Sequence, residues 1–379
     1  MTTTTTADGL VTAGFEPVAD AFNASFRTGT DDGAACAVYV DGTLAVHLWA
    51  GQSTEARAWG PDTCSILNSV SKGVLSICML MAAEAGYVDL DEPVAAYWPE
   101  FAVAGKQRVT VRQAMAHRAG LSILDGPITL SELQEWTPVA DRLARQTPTW
   151  PPDSGHVYHA FTVGWILGEV LRRTTGLRPQ QWLEAHIAIP LDLSLSYGTA
   201  GGVREIAPMQ APLRPLLDAE DMGKMPDEAL RALSLGGLIE PASLFQAMNS
   251  PELLAVEMPG ANLVGTAHDV ARVYAATTGP VDGTTLLSPQ TVQEASRPMT
   301  DGPQLIGPAD GMRWGSGFML DSEALPLLGA GSYGHDGAGG HLGVANSELR
   351  VGFGYQTRRP GATLDGRTRT ICSALRQCL

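Results

Sequence analysis

Cys36-Ala37-Val38-Tyr39-Val40-Asp41-Gly42-Thr43-Leu44-Ala45-Val46-His47-Leu48-Trp49 is the stretch that decides the fold class. Val38 and Val40 alternate with polar or small neighbours, and so do Leu44, Val46 and Leu48. Asp41-Gly42 between the two runs supplies the two residues that a tight hairpin turn needs at positive φ. Just upstream, Phe15, Val18, Phe22 and Phe26 fall at helical spacing. A helix followed by a hairpin is not the strand–helix alternation of a parallel sheet, so an antiparallel sheet is expected.

The far end of the chain answers the near end. Gly340–Ala345 and Arg350–Thr357, joined by Asn346-Ser347-Glu348-Leu349, read as a second hairpin. Ile371, Ala374, Leu375 and Cys378 mark a closing helix. Helical signals fill the middle. Val70 to about Ala85 is apolar nearly all round, the pattern of a helix buried at the centre of a domain. Thr110-Val111-Arg112-Gln113 is a capping box opening a short helix that ends near Gly120. Thr162 starts a helix with Val163, Ile166, Leu167, Val170 and Leu171 on one stripe and Gly176 as its stop. A further helix is expected in Asp227–Leu235, within a Pro-rich stretch from about 200 to 245, and another after Thr266. The expected architecture is therefore α/β of the α+β type. Residues 10–85 plus 250–379 form an antiparallel sheet flanked by helices, residues 86–249 an inserted helical domain, and residues 1–9 a disordered tail.

Composition narrows the function. Of 379 residues 44% are apolar and 17% charged, enough for a large core, and the formal net charge is −15. An acidic chain without a Lys/Arg run repels phosphate backbones, which argues against nucleic acid. The first residues show neither a basic nor an apolar signal region. The apolar stretch from Val74 to Ala85 is too short to span a bilayer. The five cysteines include no Cys-x-x-Cys, and Cys36 and Cys78 sit in apolar runs, so a reducing, cytoplasmic setting without membrane contact is expected. His156 and His159 lack a neighbouring carboxylate or Cys at ligand spacing, and no phosphate loop is present, so neither metal nor cofactor is expected.

Three elements carry chemistry. Ser69-Val70-Ser71-Lys72 places a hydroxyl and an amine on one face at the mouth of the buried helix. The Ser69 N–H belongs to the unpaired donors of the helix start, suited to an oxyanion, and a dry lysine loses affinity for its proton and serves as a base. Tyr158 follows the Pro/Gly-rich loop Trp150-Pro151-Pro152-Asp153-Ser154-Gly155. As a functional residue its phenol pKa is expected to be lowered by a nearby lysine. Gly334-His335-Asp336-Gly337-Ala338-Gly339-Gly340 brings backbone close to something just before a strand. Ala330-Gly331-Ser332-Tyr333-Gly334 nearly fits a nucleophile elbow, but no helix follows Ser332.

Together these pieces resemble the serine β-lactamase-like superfamily, and within it the class C-like branch that holds the family VIII carboxylesterases and penicillin-binding-protein-like hydrolases. Leu90-Asp91-Glu92-Pro93-Val94, Ala116-His117-Arg118-Ala119-Gly120-Leu121 and Gly164-Trp165-Ile166-Leu167-Gly168-Glu169 support the resemblance, which covers about residues 10 to 378. It implies Ser69 as nucleophile, Lys72 as its activator, Tyr158 as general base and acid, and the N–H groups of Ser69 and Ala338 as oxyanion hole. His335, Asp336, Gly337 and His159 are the implied substrate-binding residues. The chain departs from class C β-lactamases in two places. Tyr158-His159-Ala160 stands for Tyr-x-Asn, which removes an amide ligand, and His335-Asp336-Gly337 stands for Lys-Thr-Gly, which removes a cation. The expectation is a carboxylesterase acting on a small-molecule ester. The alternative is a transacylase of natural-product biosynthesis passing the acyl group to an amine or alcohol, ahead of a β-lactamase or D-amino-acid amidase. A catalytically dead sensor is disfavoured by intact Ser69, Lys72 and Tyr158.

Overall fold

The computed structural model describes residues 6–199, 205–212, 225–300, 302–306, 311–361 and 366–379. Residues 1–5 of the expected tail, part of the Pro-rich stretch and Lys224 fall outside them. The Asp41-Gly42 turn takes the conformation its residues favour, with φ of 48° and 73°. It joins β2 (Gly33–Val40) to β3 (Thr43–Thr54). On the other side, β2 pairs with β13 (Val351–Thr357), Val40 facing Val351 and Cys36 facing Tyr355. The first and last thirds of the chain thus meet at the middle of one sheet.

That sheet continues antiparallel through β12 (His341–Asn346), β11 (Ser332–Gly337), β10 (Met319–Leu320) and β9 (Arg313–Trp314). Its other edge is β1 (Asp8–Val11), which pairs with β3, and the short β4 (Arg57–Ala58) pairs with the end of β3. Asp8 and Gly9, assigned from sequence to a disordered tail, are therefore strand residues. A local reading of these residues does not register the edge of β3, which offers its ladder to Asp8–Val11. A second, smaller sheet forms from β5 (Cys64–Ile66), β6 (Ser196–Tyr197), β7 (Ile206–Ala207) and β8 (Leu263–Gly265).

Helices cover both faces of the large sheet. Helix α1 (Glu16–Arg27) and the closing helix α7 (Gly366–Cys378) place Val18, Phe22, Ile371 and Leu375 against Val38, Leu48, Val351 and Phe353. On the opposite face lies α6 (Ala267–Ala276), so close to β13 that a Cβ on Gly354 would fall 2.1 Å from the Ala267 carbonyl oxygen. Only glycine permits that approach.

Helix α2 (Val70–Glu84) is buried along nearly its whole length, as its all-round apolar sequence requires. One continuous set of buried side chains joins it to Trp98, Phe101, Leu121, Trp136 and Trp165. The Thr110 capping box is present, but its helix, α3 (Val111–Met115), stops before Gly120. The chain turns at His117, which adopts φ of 61°. Helix α4 (Thr162–Thr175) ends on left-handed Gly176, and α5 (Asp227–Ala232) occupies the expected place. Among the described residues no helix is long and apolar enough to cross a membrane.

Candidate active site

The candidate site forms at the corner where β5 gives way to α2. Asn68 takes φ of 48°, swinging the chain so that Ser69 becomes the residue at the helix start. The buried Asn68 amide donates to the Ala338 carbonyl at 2.7 Å, tying this corner to the end of β11. The N–H groups of Ser69 and Ala338 donate to no acceptor among the described residues. Gly339, next along, has its carbonyl held by the Gly361 N–H at 2.9 Å and by Arg367 at 3.0 Å. Arg367 is itself paired with fully buried Asp31.

Lys72 lies one turn into α2. Its Nζ is 3.0 Å from Ser69 Oγ, 2.7 Å from the Ala160 carbonyl and 2.6 Å from the Gly260 carbonyl. Burial lowers its pKa to about 7, against a smaller opposing pull from Asp336. A neutral amine donates its two protons to the two carbonyls and turns its lone pair toward Ser69 Oγ. The Tyr158 hydroxyl stands 2.8 Å from the same Oγ. Its ring stacks on Trp314 (5.5 Å, 26°) and meets the edge of His117 (5.0 Å, 62°). The structure corrects the expected direction of its titration. Burial, reinforced by the Asp336 charge, pushes the phenol pKa up, outweighing the hydrogen bond to Ser69. Tyr158 is a neutral donor at ordinary pH.

A cavity of about 320 Å³ opens beside Ser69 and Tyr158, walled by Phe161, Leu233, Leu244, Met248, Trp314 and Leu325. Of the expected substrate-binding residues, Asp336 and Gly337 line it, and so does Ala338. His159 and His335 do not. His159 is fully buried behind the Tyr158 loop, its Nδ1–H donating to Val157 O at 2.6 Å and its Nε2 accepting from Leu121 N at 3.1 Å. Its pKa falls to about 4, mainly through burial. His335 faces α2, 1% exposed, with Nδ1 at 2.6 Å from its neighbour's backbone carbonyl. Burial and then the Lys72 charge lower its pKa to about 3, so the nearby Asp336 does not make it a cation. Ser332 is buried too, its Oγ accepting from Asn346 Nδ2 at 3.1 Å.

Sequence reasoning missed four participants. Asn68 had a readable signal, since Asn before a buried helix suits a positive-φ corner. Trp314 and the Gly260 carbonyl had none, because they arrive from distant segments, and His117 stood only within a stretch supporting the family resemblance.

The beta-lactamase family profile matches residues 22–374. The chain is 30% identical over 348 residues to "Esterase/beta-lactamase LipL" of Mycobacterium tuberculosis (strain ATCC 25618 / H37Rv), covering 89% of this chain and 80% of that protein. A crystal structure of a family VIII carboxylesterase superposes with a TM-score of 0.87 at 30% identity, over 98% of this chain and 100% of the other. A penicillin-binding protein homologue from Caulobacter crescentus gives 0.86 at 28% identity, with the same coverage.

Proposed function

We propose, for a chain that belongs to the beta-lactamase family, that it is a serine carboxylesterase working through an acyl-enzyme on Ser69. The observation that carries this reading is Ser69 Oγ held between Lys72 Nζ at 3.0 Å and the Tyr158 hydroxyl at 2.8 Å, beside an apolar cavity. Neutral Lys72 takes the serine proton as Oγ attacks the ester carbonyl. The N–H groups of Ser69 and Ala338 receive the oxyanion. As the tetrahedral intermediate collapses, the departing alkoxide takes a proton from Tyr158. The resulting phenolate is basic enough to recover one from the Lys72 ammonium, which lies 4.8 Å from the ring centre. Water then enters by the same steps in reverse and releases the acid. An alcohol or amine in place of water makes the reaction an acyl transfer.

An ester needs only this machinery and an apolar pocket. A β-lactam also presents an amide and a carboxylate that must be held. Ala160 offers the first no side-chain ligand, and the cavity meets the second with the Asp336 carboxylate. Each unmet polar group costs about 1–3 kcal/mol, or roughly one to two decades of rate. We expect kcat/KM for p-nitrophenyl butyrate to exceed that for nitrocefin by about two to four decades. Intact-protein mass after brief exposure to the ester is expected to show one butyryl adduct, lost in Ser69→Ala. Equal turnover of nitrocefin would overturn the argument from Ala160 and Asp336. An adduct that persists in Ser69→Ala would overturn the nucleophile.

A further inference from the structure

We propose that Asp336 is a recognition site for a positively charged nitrogen, so that the preferred ester or acceptor carries a quaternary or protonated amine. The inference rests on the esterase reading and names its substrate class. Asp336 is the one acidic residue among the described residues lining the cavity. Its carboxylate accepts no hydrogen bond from any described residue. His335 Nδ1 lies 3.6 Å from one of its oxygens, but that nitrogen is already engaged at 2.6 Å with the Asp336 carbonyl and is neutral at ordinary pH.

The fully buried carboxylates of this chain are treated differently. Asp31 receives Arg367, the Tyr355 hydroxyl and the Thr357 hydroxyl. Glu169 receives Arg172, Arg173 and the Trp136 indole. Asp269 closes a capping box with Thr266. Each is saturated by the protein, as an ionised group removed from water must be. Asp336, with its side chain 30% exposed, is instead left open to the cavity and whatever enters it.

The charge is also unbalanced when the enzyme is ready to react. Burial raises the Asp336 pKa to about 6, outweighing the opposing pull of the Lys72 charge. Once Lys72 gives up its proton to become a base, the site carries a net negative charge. A cationic substrate restores neutrality. The mostly apolar walls around the carboxylate suit a trimethylammonium better than a small, strongly hydrated ion. Arg369, also on the lining, is exposed, with its guanidinium donating to Ala324 O at 3.4 Å.

Isosteric ester pairs test this. Butyrylcholine and 3,3-dimethylbutyl butyrate differ in charge on the alcohol side. The p-nitrophenyl esters of 4-(trimethylammonio)butyrate and 5,5-dimethylhexanoate differ on the acyl side. The readout is the cationic-to-neutral ratio of kcat/KM in wild type divided by that in Asp336→Asn. Asn is isosteric and removes no contact within the protein. In at least one pair this quotient is expected to be about 10 or more, since opposite charges near 4 Å attract strongly in a partly screened site. A role through Lys72 alone would change both members of a pair alike, and a quotient within twofold of one in both pairs overturns the proposal. Failure of wild type to turn over any of the four esters would instead remove the esterase reading. The charge contact is then read by calorimetric binding of butyrylcholine to Ser69→Ala and to Ser69→Ala/Asp336→Asn. Equal affinity in those two proteins overturns the proposal as well.

Discussion

Two lysines are buried among the described residues, and they differ in what surrounds them. Lys72 is 3% exposed and Lys106 is 0% exposed. Both lose affinity for their protons through desolvation, to about 7 and about 8. Lys106 donates to the Gln146 carbonyl at 2.6 Å and lies over the Phe101 ring at 5.3 Å. No hydroxyl or carboxylate appears among its partners. Lys72 has two carbonyls as well, but its third neighbour is Ser69 Oγ, and that hydroxyl also touches Tyr158 and the cavity. Burial and a depressed pKa do not make a base. What separates the two amines is a proton donor within reach and a path for substrate to that donor.

The sharpest way to break this comparison is to remove each amine in turn. Lys72→Met and Ser69→Ala are each expected to lower kcat for p-nitrophenyl butyrate by at least ~10³, as removal of a nucleophile or its partner does in groups that act as a unit. Lys106→Met is expected to stay within about threefold of wild type. A fluorophosphonate probe is expected to label Ser69 and spare buried Ser332, with peptide mapping as the check. A tenfold or larger loss in Lys106→Met would show that burial at that position is coupled to the reaction after all.

The contrast also marks how far the sequence reaches. Ser69, Lys72 and Tyr158 were legible because spacing on a helix and a Pro/Gly loop leave local signatures, and the geometry brings the three together. The sheet was legible from its two hairpins, since alternation and the Asp41-Gly42 turn are properties of adjacent residues. Burial alone does not mark a functional lysine, because Lys106 is equally buried and its partner is a backbone carbonyl forty residues away. His159 and His335 were misplaced for a related reason. Which face of a loop or strand meets the cavity depends on segments such as Trp314 and Leu325, which are far from those histidines in sequence. The rise in the Tyr158 pKa likewise depends on enclosure and on Asp336, neither of which adjacency reveals.

Titration sharpens the comparison with a smaller effect. If Lys72 is the base, kcat/KM for a neutral ester rises with pH through about 7 and levels off above it, as the free amine is populated. The Asp336 charge raises the Lys72 pKa, so Asp336→Asn is expected to move this limb to lower pH. Lys106→Met is expected to leave it in place. The pH–rate profiles of the three proteins on p-nitrophenyl butyrate check both statements. A limb that stays fixed in Asp336→Asn would separate the carboxylate from the catalytic amine.

The smallest effect on activity belongs to Lys106, and its signature is in stability. Above about pH 10.5 this amine is neutral in folded and unfolded chains alike. As pH falls toward 8, the unfolded chain takes up a proton that the enclosed site resists, so stability present at high pH is lost across that window. At 1.36 kcal/mol per pKa unit the loss is on the order of 3 kcal/mol, complete below pH 8. Methionine undergoes no such loss, although it leaves the Gln146 carbonyl without its donor, a fixed penalty of about 1–3 kcal/mol. The stability of Lys106→Met relative to wild type is therefore expected to be poorest near pH 10 and to improve toward pH 7. Lys72 loses stability over an overlapping range in both proteins, so its contribution cancels in the difference between the two curves. Urea midpoints at pH 7 and pH 10 measure it. An offset independent of pH would mean that Lys106 keeps an ordinary affinity for its proton, leaving Lys72 as the one depressed amine of the pair.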